Sequence, residues 1–262
     1  MLFFLKKLFY KNEKLLNSLY SGFLFRIVTL ILRTYSIIYI FYRKEIFDIS
    51  VLSTSDKFKF YFPSTNTEGS LKDEFKHKFP TLLWRRFGIY EPYTSLALKE
   101  HLRQNDVFLE LGAARGYFTL QIAKLCKECH SVEPIDEMIS IINENLRINN
   151  VKNVKTYKKA IGLESQPIRI RDQTIRPINL KKFLLINKIN PTFIFVDCDS
   201  TNLDNSNTRN DFIILKMIFD EFKSKKIKII FETKDKNKTV QMCKKMNFNY
   251  YLFSSQHFLI SN

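Results

Sequence analysis

The sequence predicts an α/β protein built on a mostly parallel sheet with helices on both faces. Three observations carry this reading. From about residue 91 onward, short apolar runs that suit buried strands alternate with segments of helical periodicity. Several of these runs end at an acid, namely Glu110, Glu133, Asp197 and Glu232. The first is followed by Gly112-Ala113-Ala114-Arg115-Gly116, a glycine pair at the join of strand and helix, where a tight turn needs residues free to take positive φ.

Residues 1–50 are the least globular part of the chain. Leu5, Leu8, Phe9, Leu16 and Leu19 share one face of a helix whose other side carries Lys7, Lys11, Lys14 and Ser18, a basic amphipathic pattern. Phe23 to Tyr42 is long enough to cross a bilayer. Its two arginines cost about 5–7 kcal/mol on an insertion scale, and its apolar residues return about 4–7 kcal/mol, so hydropathy decides nothing. Position says more. Arg26, Thr29, Arg33, Ser36 and Arg43 form one polar stripe at helical spacing, which favours a helix lying in a membrane interface, or packed on protein, over a span. No small-residue cleavage site follows, which argues against a cleaved signal peptide. The expected organisation is N-terminal helices over 1–50, a linker over 51–74 containing Pro63 and Gly69, and a globular domain over 75–262. Within it, Leu82-Leu83-Trp84-Arg85-Arg86-Phe87 reads as a helix end with Trp84 packed inward, or as the border of an acceptor site.

A helix is expected from Glu91-Pro92 to about Leu102, then a buried strand from Asp106 to Leu111, the glycine turn and a helix. Cys129 to Val132 is the second strand. The helix Asp136 to Asn149 aligns Met138, Ile141, Ile142 and Leu146 on one face, and Val154 to Ile161 is a third strand broken by Gly162. Residues 163–177 are polar and irregular, with a hairpin through Ile168 and Ile170. Leu180 to Ile186 is helical, Pro191 to Asp197 is a buried strand, and Asp199 to Asn210 is a polar loop. A helix Asp211–Phe222, a strand Ile227–Phe231, a helix Thr239–Met246 and closing strands Tyr250–Phe253 and His257–Ile260 complete a seven-stranded sheet.

With 42 Lys and Arg against 26 Asp and Glu, the 262-residue chain carries a net charge of +16. That charge invites a nucleic-acid or anionic-membrane partner. Lys is scattered, however, and abundant together with Asn, Ile, Phe and Tyr, so compositional bias explains most of it. Four cysteines do not make a disulfide framework in a chain this long. Cys126-Lys127-Glu128-Cys129 has redox or zinc spacing, yet it falls at a helix end and lacks a second ligand pair nearby.

A dinucleotide site would need G-x-G-x-x-G, which Ala114 and Arg115 interrupt. Glu110 would occupy the place of phosphate charge. A carboxylate there suits a ligand that carries an ammonium and a sulfonium, as S-adenosylmethionine does. Glu133, at the tip of the second strand, stands where an acid accepts from a ribose diol.

Glu110-Leu111-Gly112-Ala113-Ala114-Arg115-Gly116-Tyr117-Phe118-Thr119-Leu120 resembles the D-V-G-A-N-I-G-Y-F-T-L motif of FkbM-type methyltransferases, members of class I S-adenosylmethionine-dependent methyltransferases. Val132-Glu133-Pro134, the run from Asn143 to Val151, and Ala160-Ile161-Gly162 are similar to the blocks that follow it. Val196-Asp197-Cys198-Asp199-Ser200 resembles its D-V-E-G segment more weakly. The resemblance implies a Rossmann-like methyltransferase fold with an N-terminal helical extension. It further implies S-adenosylmethionine held by Glu110, Gly112, Ala113, Arg115, Gly116, Tyr117, Glu133, Pro134, Ala160 and Ile161, with the methionine portion on Glu110 and the turn amides. Asp197 or Asp199 would take a proton from a hydroxyl acceptor. A rival likeness is to cation-dependent O-methyltransferases, through Phe193 to Asp199 and Asn202. Their Asp-Asn pair on the next strand is replaced by Glu232-Thr233, so three oxygen ligands for a divalent cation are not assured, and no residue is assigned to a metal.

The implied reaction is O-methylation of a hydroxylated small molecule, glycan or lipid-linked sugar, in the cytoplasm and at a membrane surface contacted by residues 1–45. RNA is the second acceptor considered, less favoured because no Asn/Asp-Pro-Pro-aromatic motif follows Asp197. A non-catalytic membrane-bound binding module is the third reading.

Overall fold

The computed structural model describes residues 51–53, 58–61, 90–170, 173–198, 201–202, 210–254 and 256–262. The expected N-terminal helices, the Trp84 cluster and Asp199 lie outside the described residues. Among those described, no helix is long and apolar enough to cross a membrane. The chain divides into two compact units, Met1–Leu96 and Ala97–Asn262.

In the first unit, β1 (Val51–Ser53) pairs antiparallel with β2 (Lys59–Tyr61), Leu52 opposite Phe60. Helix α1 (Pro92–His101) starts in this unit and ends in the next.

The second unit is a seven-stranded sheet between two helical layers. In chain order it comprises β3 (Val107–Leu111), α2 (Tyr117–Ala123), β4 (Glu128–Val132), α3 (Asp136–Ile148) and β5 (Val154–Tyr157). The small strands β6 (Ile168–Ile170) and β7 (Gln173–Ile175) precede α4 (Leu180–Asn187) and β8 (Phe193–Val196). The chain continues through β9 (Thr201–Asn202), α5 (Asn210–Phe222), β10 (Lys228–Glu232), α6 (Lys236–Met246), β11 (Asn249–Leu252) and β12 (His257–Ser261). Spatial order across the large sheet is β11-β12-β10-β8-β3-β4-β5. Only β12 runs against its neighbours. This is the Rossmann-like methyltransferase fold that the sequence predicts.

Period-two alternation assigns the strand residues to the two layers. Leu109, Leu111, Ile194, Val196, Ile229 and Phe231 join Phe183, Ile218, Phe219 and Cys243 in one core with α4, α5 and α6. On the opposite face, Phe118 of α2 meets Phe195 edge-on at 5.4 Å, and Phe108 packs on Phe193 at 5.4 Å. Central strands buried on both faces must be apolar throughout, as β8 is.

The winding reverses beside β3, because the chain moves outward through β4 and β5 and then crosses back to β8. Such a reversal opens a crevice beyond the carboxyl ends of the strands.

Two expected boundaries shift. The third strand stops at Tyr157, because Lys158 and Lys159 turn out to solvent, and Ile161 returns only as a single parallel bridge to Ile178. The expected 199–210 loop contains β9, which pairs antiparallel with β6 through Ile168–Asn202 and Arg169–Thr201. A polar two-residue strand paired with a distant segment carries no periodicity to read. The expected hairpin through Ile168 and Ile170 is present as β6 and β7.

Candidate functional site

Between β3 and α2 the backbone takes left-handed conformations at Gly112 (φ 92°), Ala114 (φ 48°) and Gly116 (φ 77°). A Cβ on Gly112 would stand 1.9 Å from the Asp197 carbonyl oxygen, so the ends of β3 and β8 meet there only because the side chain is missing. A Cβ on Gly116 would stand 3.2 Å from Ile142 Cγ1, which is the close approach of α3.

The turn is held from β4 and from within. Gly112 N and Ala113 N donate to the Val132 carbonyl at 3.0 and 3.1 Å, and Gly116 N donates to Ala113 at 2.8 Å. Ala114 N donates to Glu133 Oε2 at 2.9 Å. Asn145 Nδ2 of α3 donates to the Arg115 carbonyl at 2.9 Å. Four of the turn amides thus have internal acceptors.

Glu133 follows β4 and lines a cavity of about 340 Å³ at the switch point. Its other oxygen, Oε1, accepts from Ile135 N at 3.1 Å.

Of the expected site residues, Gly112, Glu133, Pro134, Ala160, Ile161 and Asp197 line this cavity. Glu110, Ala113, Arg115, Gly116 and Tyr117 are not among its lining residues. Arg115, Gly116 and Tyr117 are buried where the turn runs into α2. For Glu110 the reason is alternation. Strand β3 runs one residue past it to Leu111, so Glu110 faces α2 rather than forming the strand tip. There its Oε2 accepts from Thr119 Oγ1 at 2.5 Å and from Ser131 Oγ at 2.8 Å. Burial pushes its carboxyl up to about 7, against the pull of those two hydroxyls.

The remaining lining includes Met138, Ile168, Ile170, Lys159, Cys198 and Asn210, none of which the sequence marks as a site residue. Ile168 and Ile170 had a signal in their alternation; Asn210, in a polar run, had none.

Among the described residues, the cavity lining carries two carboxylates, Glu133 and Asp197, and one cation, Lys159. The Cys198 thiol is raised first by burial and then by the charges of Asp197, Glu133 and Asp211. Three carboxylates thus act on one point of the wall. Beside Asp197, at the end of β10, Glu232 Oε2 lies 3.6 Å from His257 Nε2. Antiparallel register between β10 and β12 brings the two together. Cys126 and Cys129 are buried free thiols, the first pushed up to about 12 by burial, so neither is a ready nucleophile.

No family model matches the chain. It is 27% identical over 158 residues to the "uncharacterized RNA methyltransferase" of Nanoarchaeum equitans, spanning 58% of this chain and 35% of that protein. Over 60 residues it is 33% identical to the "probable cobalt-precorrin-6B C(15)-methyltransferase (decarboxylating)" of Methanocaldococcus jannaschii, spanning 23% of this chain and 33% of that protein. The chain thus spans about a third of the length of the curated relatives it matches. Among solved structures it is similar to the methyltransferase FkbM of Methylobacillus flagellatus. The TM-score is 0.45 and the identity 14%, over 62% of this chain and 44% of that one.

Proposed function

We propose that this chain is an S-adenosylmethionine-dependent methyltransferase. The observation that carries the reading is Glu133, which is fixed by the Ala114 and Ile135 amides and lines the cavity at the switch point of the sheet. Such a carboxylate suits a ribose diol. The carboxylates of the cavity lining, Glu133 and Asp197, outnumber the cation Lys159, which suits a positively charged ligand.

When bound, the donor supplies a methyl group already activated by its sulfonium. The chain's own task is therefore to position and dehydrate the reactants. Glu133 orients the sugar, and Pro134, Met138, Ala160 and Ile161 give the base an apolar wall. Asp197 lies at the end of β8, where it takes the proton of a hydroxyl acceptor as the new O–CH3 bond forms and the S–CH3 bond breaks.

A hydroxylated small molecule or glycan remains the acceptor favoured by this use of Asp197. Nucleic acid stands beside it as the second reading, supported by the similarity to the RNA methyltransferase of Nanoarchaeum equitans and by the net charge of +16. Residues 1–45 would bring the enzyme to a membrane surface from the cytoplasm, which cosedimentation with anionic vesicles tests.

Calorimetry with S-adenosylmethionine and NAD tests the reading. Binding of the first alone, weakened at least about tenfold by Glu133→Ala, is expected. Equal binding of both, or none, refutes it. Steep salt dependence of RNA binding together with sequence or structure preference would select the nucleic-acid acceptor.

A further inference from the structure

From Met246 to Asn262 the sequence contains no Lys, Arg, Asp or Glu, the longest such run in a chain that is 26% charged. This run holds β11 and β12. Strand β11 is an edge of the seven-stranded sheet and pairs with β12 alone among the described residues. Edge strands invite pairing with another chain, and a lysine, a proline or a bulge ordinarily blocks them. Strand β11 has none of the three, since its register runs unbroken from Asn249–Ser261 to Leu252–Phe258.

Alternation decides which backbone groups are on offer. Phe253 N donates to the His257 carbonyl at 3.2 Å. Along β11 the N–H and C=O groups of Asn249 and Tyr251 therefore also face β12, and those of Tyr250 and Leu252 face away from the sheet. All four residues are exposed, Tyr251 at 61%. The Tyr250 ring reaches Phe258 at 6.3 Å, while Tyr251 stands on the opposite face, across from Leu259. Aromatic and apolar side chains without charge are the composition of an interface core.

We propose that β11 is the contact between two copies of this chain, paired antiparallel with itself about a two-fold axis at Tyr251. Two arguments favour a copy as the occupant. Self-pairing is isologous, so the outward groups of Tyr250 meet those of Leu252 in the second copy, and each donor finds an acceptor. Copies that each carry a net charge of +16 also repel, so they can meet closely only where charge is absent. The run 246–262 supplies that surface. Four residues of edge bury less than the roughly 1,200 Å² of a standard interface, so a micromolar dimer is expected. The cavity lies at the ends of β3, β4 and β8, away from this edge, and pairing leaves it open.

Sedimentation equilibrium of the full chain from about 1 to about 100 μM tests the proposal. Wild type should dimerise with a midpoint in that range. Tyr251→Lys sets like charges directly opposite each other across the axis and should weaken dimerisation at least about tenfold. Leu185→Lys, at an apolar position of α4 that is 69% exposed, should leave it unchanged. Tyr251→Cys should form an intermolecular disulfide on mild oxidation, because residues paired at the axis have Cα atoms about 4.5 Å apart. Leu185→Cys should not. A wild type that stays monomeric throughout overturns the proposal. So does a dimer that Tyr251→Lys leaves intact, one that Leu185→Lys weakens as much, or a Tyr251→Cys variant that does not cross-link.

Discussion

Glu232 on β10 and His257 on β12 stand directly opposite each other, with Glu232 Oε2 3.6 Å from His257 Nε2. Ser254 Oγ lies 2.8 Å from the other ring nitrogen, Nδ1. The interaction with His257 holds the Glu232 carboxyl below its ordinary value, against burial. A depressed carboxyl contributes stability that is present above its unfolded pKa and lost as pH falls through the lower folded value. Removing the partner by His257→Phe should therefore cost about 1 kcal/mol at pH 7. The deficit should shrink on acidification below pH about 4. Urea unfolding of both proteins at the two pH values checks this; a constant deficit would refute it.

Glu110 titrates in the opposite sense. Its carboxyl is raised from 4.5 to about 7 by burial. The stability of the neutral form is present in full below 4.5 and is lost as pH rises through about 7. Glu110→Gln keeps an acceptor for Thr119 and Ser131 but cannot ionise. Between pH 5 and pH 8, wild type should lose up to about 3 kcal/mol relative to the variant. Thermal unfolding across this range measures the gap, and parallel curves would exclude the shifted group.

The two turn glycines should differ in sensitivity. Gly112→Ala places a methyl group against the Asp197 backbone at positive φ, and backbone cannot yield as a side chain can. A loss of about 3 kcal/mol or more is expected. Gly116→Ala meets the Ile142 side chain at 3.2 Å and should cost about 1–2 kcal/mol. Denaturant midpoints rank the pair.

Asp197→Asn should leave affinity for S-adenosylhomocysteine within about threefold of wild type while lowering methyl transfer by about 10²–10⁴. The first figure follows from placing Asp197 with the acceptor rather than with the sugar. A parallel loss of binding and turnover would assign Asp197 to the donor instead.

The sheet is legible in the sequence because its central strands, such as Phe193–Val196, must be apolar on both faces, and because each is followed by a helix. Glu133 is legible for a similar reason: it directly follows its strand. Glu110 shows the limit of that logic. One further residue, Leu111, belongs to β3, and in a structure of period two a single step moves a side chain from the rim to the opposite face. Asn210 could not be found this way, since its position depends on a carbonyl of Ile161 far away in the chain. The meeting of Glu232 with His257 likewise depends on antiparallel register, which no local pattern encodes.

The three-stranded sheet β7-β6-β9 has a mechanical consequence. Strand β6 supplies Ile168 and Ile170 to the cavity wall, while β9 lies a few residues beyond Asp197, and the two are joined by backbone pairing at Ile168–Asn202 and Arg169–Thr201. Strand β9 is thus tied to the cavity wall through β6, and the two cannot part without breaking that ladder.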